Sequence, residues 1–175
     1  MAIQAPSLQV LIDRAAIHDL HARYFQGLDR GDPGQVRSCF TDDVVAYYDG
    51  RSALRPGPQA PVRGISALMD SLVTFRNQQS GQWKITTHFM ENLHISMLAG
   101  SVAETEINAI AFIVLPGEPH DEVAMRSLRY IDRLRRGADG WQICERVHTL
   151  DWSCAVPADY SVQQALRVTQ SCQTE

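Results

Sequence analysis

No block of basic residues stands out in this chain: 16 Lys and Arg are set against 20 Asp and Glu, for a net charge of −4. The electrostatic footprint of a nucleic-acid binder is therefore missing. No uncharged apolar run approaches the roughly 18 residues that a membrane span needs. Met1-Ala2-Ile3-Gln4-Ala5-Pro6 lacks a basic region followed by an apolar one, so no signal peptide is visible. The four cysteines, at 39, 144, 154 and 172, show no CxxC spacing, which argues against a zinc knuckle or a redox pair. Cys39 and Cys144 sit in apolar runs and read as buried small hydrophobes. Neither the GxGxxG nor the GxxxxGKS/T phosphate loop is present, and neither is HExxH or a GxSxG elbow. His18 and His21 stand three apart on a helix, as two metal ligands would, but no third ligand accompanies them. These absences leave a soluble, cytoplasmic protein with no cofactor and no metal.

The chain has 175 residues, 45% of them hydrophobic, which suits a single domain with a real core. Ser7 is a good helix N-cap. Leu8, Leu11, Ile12, Ala15, Ala16, Ile17, Leu20, Tyr24 and Leu28 recur at spacings of three and four, a core-facing helical stripe that ends at Asp29 and Gly31. Asp32-Pro33 opens a second, short helix whose buried face is Val36 and Phe40. Thr41-Asp42-Asp43 reads as a turn, and Val44–Tyr48 as a strand. Residues 51–63, with Pro56, Pro58 and Pro61, read as a loop long enough to cover something. A third helix follows over 64–76.

From Trp83 the period changes to two. Four long strands are expected over 83–98, 101–115, 122–136 and 140–152, joined by short turns as antiparallel hairpins. Residues 153–175 lose the pattern and read as a tail. Helix, helix, strand, helix and then a meander of long strands imply an α+β layer fold, in which a bent sheet leaves a concavity under the helices. Arg126, Arg129, Arg133, Arg135 and Arg136 read as a solvated strand surface, with Asp132 breaking the run.

In the first long strand, His88 and His94 share the more polar face if no bulge intervenes. A histidine there is either solvated or part of a polar pocket wall, and alternation does not separate the two. In the second case it can meet Asp29, whose carboxylate would fix the tautomer of the imidazole and stabilise its cation. On the last strand, Arg146, His148 and Trp152 share one face. Arg146 suits stabilisation of a developing anion, and His148 a second acid or base.

The segments Ala15-Ala16-Ile17-His18-Asp19-Leu20 through Asp32, Phe40-Thr41-Asp42-Asp43-Val44, Arg129–Arg133 and Asp139–Trp152 together resemble the SnoaL-like branch of the NTF2-like superfamily over about residues 8–152. That resemblance implies a cone, a strongly curved mixed sheet wrapped round a pocket and covered by three N-terminal helices. Its dehydratases and dehydrochlorinases use a strand His oriented by an Asp at the end of the first helix, which matches His88 and Asp29. A Tyr five residues before that Asp matches Tyr24, and a pocket Arg five residues after a Trp matches Arg146. A second acidic residue known in one relative falls near Asn108–Ile110, where no carboxylate stands. The resemblance implies a lyase of dehydratase or eliminating type on a small hydrophobic cyclic or aromatic substrate, with His88, Asp29 and Tyr24 catalytic and Arg146, His148, Tyr48 and Trp152 binding substrate. An isomerase or a carbon–carbon lyase would use the same parts, and so would a binding module or the small subunit of a ring-hydroxylating dioxygenase. A homo-oligomer, trimer or dimer, is expected.

Overall fold

The computed structural model describes residues 6–48, 60–78 and 84–158. Helix α1 spans Leu8–Arg30, α2 Pro33–Ser38 and α3 Ile65–Gln78. The strands are β1 Phe40–Tyr48, β2 Val62–Arg63, β3 Ile85–Ala99, β4 Val102–Leu115, β5 Glu122–Gly137 and β6 Gly140–Pro157. They form one curved sheet in the order β2-β1-β6-β5-β4-β3. The meander β3 to β6 is antiparallel, whereas β1 lies parallel to β6, so the sheet is mixed.

Ser7 caps α1 by accepting a hydrogen bond from the Val10 N–H. The helix stops at Gly31, whose φ of 65° is left-handed and whose N–H returns to carbonyls of the last turn. Gly27 lets α2 lie close against α1: a Cβ there would stand 2.9 Å from Val36 Cγ2. This tight junction fixes the end of α1, and with it Asp29.

The inner face of the sheet is built in layers. At the narrow end lie Leu98, Ala103, Leu134 and Ile143, with Trp141 donating to Asp13 at 3.0 Å. Next comes a polar layer of Thr105, Asp132 and Arg146, then Ile107, Tyr130, His148 and Tyr48, then Met90, Ala109, Leu128 and Leu150. His88, Ala111 and Arg126 form the layer beyond. Ile17, Leu20, Tyr24 and Phe25 of α1 are buried in the same core.

Several local expectations are corrected. Thr41-Asp42-Asp43 belongs to β1, where a register shift between Phe40 and Val45 absorbs extra residues instead of a turn. β2 pairs with β1 inside the stretch read as loop, and the rest of that stretch up to residue 59 lies outside the described residues. β6 runs past Trp152 to Pro157 because residues 152–157 continue to pair with β5. Residues 159–175 of the expected tail also lie outside the described residues. Leu8, Leu11, Ile12, Ala15 and Ala16, read as part of the core stripe, are exposed, since the face that α1 turns inward runs through Asp13, Ile17, Leu20, His21 and Tyr24 instead. Cys39 is buried, but Cys144 is only half-buried because it is the extra residue of a β6 bulge between Ile143 and Glu145.

The outer face of the sheet carries four exposed large apolar side chains, Phe89, Ile131, Trp152 and Val156. No helix among the described residues is long and apolar enough to cross a membrane.

Candidate active site

Asp29 and His88 meet where the end of α1 crosses β3. β3 is an edge strand, so its outward N–H groups have no ladder partner. The backbone N–H of His88 donates to Asp29 Oδ2 at 2.9 Å, and His88 Nδ1 lies 2.6 Å from Oδ1. An ionised carboxylate only accepts, so Nδ1 carries the hydrogen, and in the neutral ring the lone pair is then on Nε2. A carboxylate in the last turn of a helix sits against the negative end of the helix dipole. The two His88 donors offset that cost. The His88 side chain is only 8% exposed. Phe25, one turn before Asp29 on α1, lies against the imidazole with ring centroids 5.5 Å apart.

His88 stays on the inner face and His94 does not. Between Glu91 and His94 the strand carries a one-residue bulge at Asn92, whose φ is 52°, a left-handed conformation that asparagine tolerates. The bulge exchanges the faces: Leu93 and Ile95 turn inward and His94 turns out to solvent.

His148 also faces inward. Its ring lies 4.8 Å from that of Tyr130 and 5.6 Å from that of Tyr48. Burial, followed by the Arg146 charge, pushes its pKa down to about 4, and the charges of His88 and Arg126 act in the same direction. His148 is therefore a neutral imidazole at neutral pH.

Arg146 is more deeply placed than a substrate-binding group would be. It is 2% exposed, and its Nε and Nη2 donate to Asp132 Oδ1 and Oδ2 at 2.8 and 2.6 Å. Its guanidinium lies over the rings of Tyr24, Tyr130 and Phe40, at 4.2, 4.6 and 5.2 Å from their centroids. Burial works against the cation, but Asp132 and the two tyrosines outweigh it and raise its pKa. Tyr24, 4% exposed, is one wall of this cage, and burial pushes its phenol pKa up. His21, fully buried, stands behind Asp132 with Nδ1 at 3.7 Å, and its Nε2 meets Thr105 Oγ1 at 3.3 Å. Burial brings the pKa of His21 down to about 4.

The structure thus gathers His88, Asp29, His148 and Tyr48 around the inner face, with Arg146 and Tyr24 in the core beneath. It does not bring Trp152 there. A bulge between Leu150 and Trp152 pairs Trp152 with Ser127 on the outer face, where it is 50% exposed. Sequence reasoning passed over Asp132, taken as a break in an arginine run. The signal that would have found it is a lone acid at an inward parity position opposite Arg146. His18 and His21 diverge, His18 being exposed and His21 buried. Of the arginines read as surface, Arg129, Arg135 and Arg136 make outlying ion pairs with Glu106 and Asp151, Asp43 and Asp13, but Arg126 points inward.

A family described as a SnoaL-like domain matches residues 9–147 of the chain. No curated protein sequence matches it. Among solved structures, a hexachlorocyclohexane dehydrochlorinase LinA-type3 from Novosphingobium barchaimii LL02 is similar at 17% identity and a TM-score of 0.71, covering 89% of this chain and 98% of that one. A provisionally assigned scytalone dehydratase from Novosphingobium aromaticivorans DSM 12444 is similar at 19% identity and a TM-score of 0.67, covering 92% and 96%. A provisionally assigned aromatic ring hydroxylase from Novosphingobium aromaticivorans DSM is similar at 20% identity and a TM-score of 0.67, covering 89% and 96%. At these identities the likeness is one of fold.

Proposed function

The chain belongs to the SnoaL-like domain family, and on that premise we propose that it is a cofactor-independent lyase that eliminates a leaving group from a small hydrophobic cyclic or aromatic substrate. The observation that carries the reading is the Asp29–His88 pair, 2.6 Å between Oδ1 and Nδ1, in a recessed position. His88 Nε2 takes the proton from an activated carbon. The electrons of that C–H bond form the new double bond, and the leaving group departs with the electrons of its own bond. Asp29 holds the ring and stabilises its cation, a contribution of the kind worth about 10² to 10⁴ in rate for a positioned base. Tyr48 and the neutral His148 offer polar contacts to the substrate. Arg146 and Tyr24 act from the core, where the guanidinium fixes the Tyr130 ring beside His148. An isomerase would share the proton-removal step and return the proton elsewhere on the same substrate.

The hydrogen-bonded pair, with His88 recessed instead of facing solvent, supports the enzyme over a binding module or oxygenase subunit. The exposed Phe89, Ile131, Trp152 and Val156 support an oligomer of this chain, trimer or dimer, through the outer face of the sheet. The test of function is a panel of cyclic β-hydroxy ketones, aryl-substituted secondary alcohols and alicyclic halides, each with and without a ring carboxylate, followed by ultraviolet absorbance of the alkene. Elimination by the native chain that His88→Gln abolishes is expected. No elimination from any member, or elimination that survives in the variant, would overturn the reading.

A further inference from the structure

The layer that holds His88 holds one more group suited to a substrate. On the inner face, His88 of β3 is paired with Ala111 of β4, and Ala111 with Arg126 of β5. Alternation on β5 confirms the inward direction of Arg126, since Ala124, Leu128, Tyr130 and Asp132 of the same parity are all buried. His148 of β6, paired with Tyr130, faces the same side two layers along from Arg126. Two strand spacings put the backbones of His88 and Arg126 about 10 Å apart. The residue between them is an alanine, buried to 1% exposure, and the next layer also places an alanine, Ala109, at the corresponding position of β4. On this face only the methyl group of Ala111 stands between the strand positions of the imidazole and the guanidinium.

We propose that Arg126 binds an anionic group of the substrate, a carboxylate, and so selects hydrophobic cyclic acids whose reacting carbon then lies at His88. The proposal rests on the reading of His88 as the base. A guanidinium presents a rigid fork of donors that matches a carboxylate at two points, and partial removal from water strengthens that contact. Burial lowers the pKa of Arg126 from its ordinary value, and a carboxylate beside it would act in the opposite direction.

The test compares 2-naphthoate with its neutral isostere 2-naphthamide, by calorimetry on the full chain. The native protein is expected to bind the acid about ten-fold more tightly than the amide, and Arg126→Gln to bring the two within about two-fold. Arg126→Met, which keeps the apolar stem, serves where the glutamine variant does not fold. His88→Gln is expected to keep the preference for the acid, so a failure of the lyase reading leaves this result unmoved. Equal binding of the two probes, binding of neither, or an acid preference that survives loss of the Arg126 charge would overturn the proposal.

Discussion

Asp29 takes both hydrogen-bond donors of His88, the backbone N–H at 2.9 Å and the ring Nδ1 at 2.6 Å. A carboxylate that held only the ring would leave the strand free to slide beneath it. Holding main chain and side chain together fixes the imidazole relative to β3 as well as to α1. The arrangement needs an edge strand, a helix that ends opposite it, and the Gly27 contact that sets where the helix ends.

Replacing Asp29 with Asn keeps the shape and removes the charge. The amide can offer its own N–H to the ring, so the tautomer is no longer specified, and the imidazolium loses its partner. Turnover of whichever panel substrate is eliminated should fall by about 10² to 10⁴, with KM changed far less than kcat. Steady-state kinetics on Asp29→Asn check this, and an unchanged kcat would contradict it.

Much of this was legible in the chain. The periodicity of residues 8–30 gives α1, and the loss of helical pattern at Trp83 gives the meander. The pairing of Asp29 with His88 was not readable from the residues themselves, because 59 positions separate them; it came from resemblance. Alternation failed where the strands bulge. At Asn92 and again between Leu150 and Trp152 an extra residue exchanges inside and outside, which sends His94 and Trp152 outward. Nothing in a period-two pattern marks such a residue. Asp132 was missed because its counter-ion lies on the neighbouring strand.

The buried Arg146–Asp132 pair gives a prediction on stability. Asp132→Asn leaves the guanidinium buried without its countercharge, and it should destabilise the fold by about 3 to 5 kcal/mol. The double replacement Asp132→Leu with Arg146→Met removes both charges and should recover most of that loss. Urea unfolding of the three proteins checks the ordering. Equal stability of the native chain and Asp132→Asn would contradict it.

Acid sensitivity follows from His21 and His148, whose pKa values both lie near 4 in the folded chain. Unfolded, each titrates near 6.5, so between these values the unfolded state binds more protons. Their contribution is therefore neutral above about pH 6.5 and turns against the fold as the pH falls toward 4. Each histidine steepens the fall by up to about 1.4 kcal/mol per pH unit. Urea midpoints measured from pH 7.5 to 4.5 should drop over this window, and His148→Gln should remove part of the slope. A flat profile in the native chain would contradict the assignment of both histidines as buried and neutral.

Asp29 is held to fix neutral His88 with hydrogen on Nδ1 and a free lone pair on Nε2. This is tested most directly by long-range ¹H–¹⁵N correlation of the histidine rings at a pH where His88 is neutral, with its signals assigned by their loss in His88→Gln. A protonated-nitrogen shift at Nδ1 and an unprotonated one at Nε2 are expected in the native chain, and an averaged or reversed pair in Asp29→Asn. A native His88 that carries its hydrogen on Nε2, or that averages between the two tautomers, would contradict it.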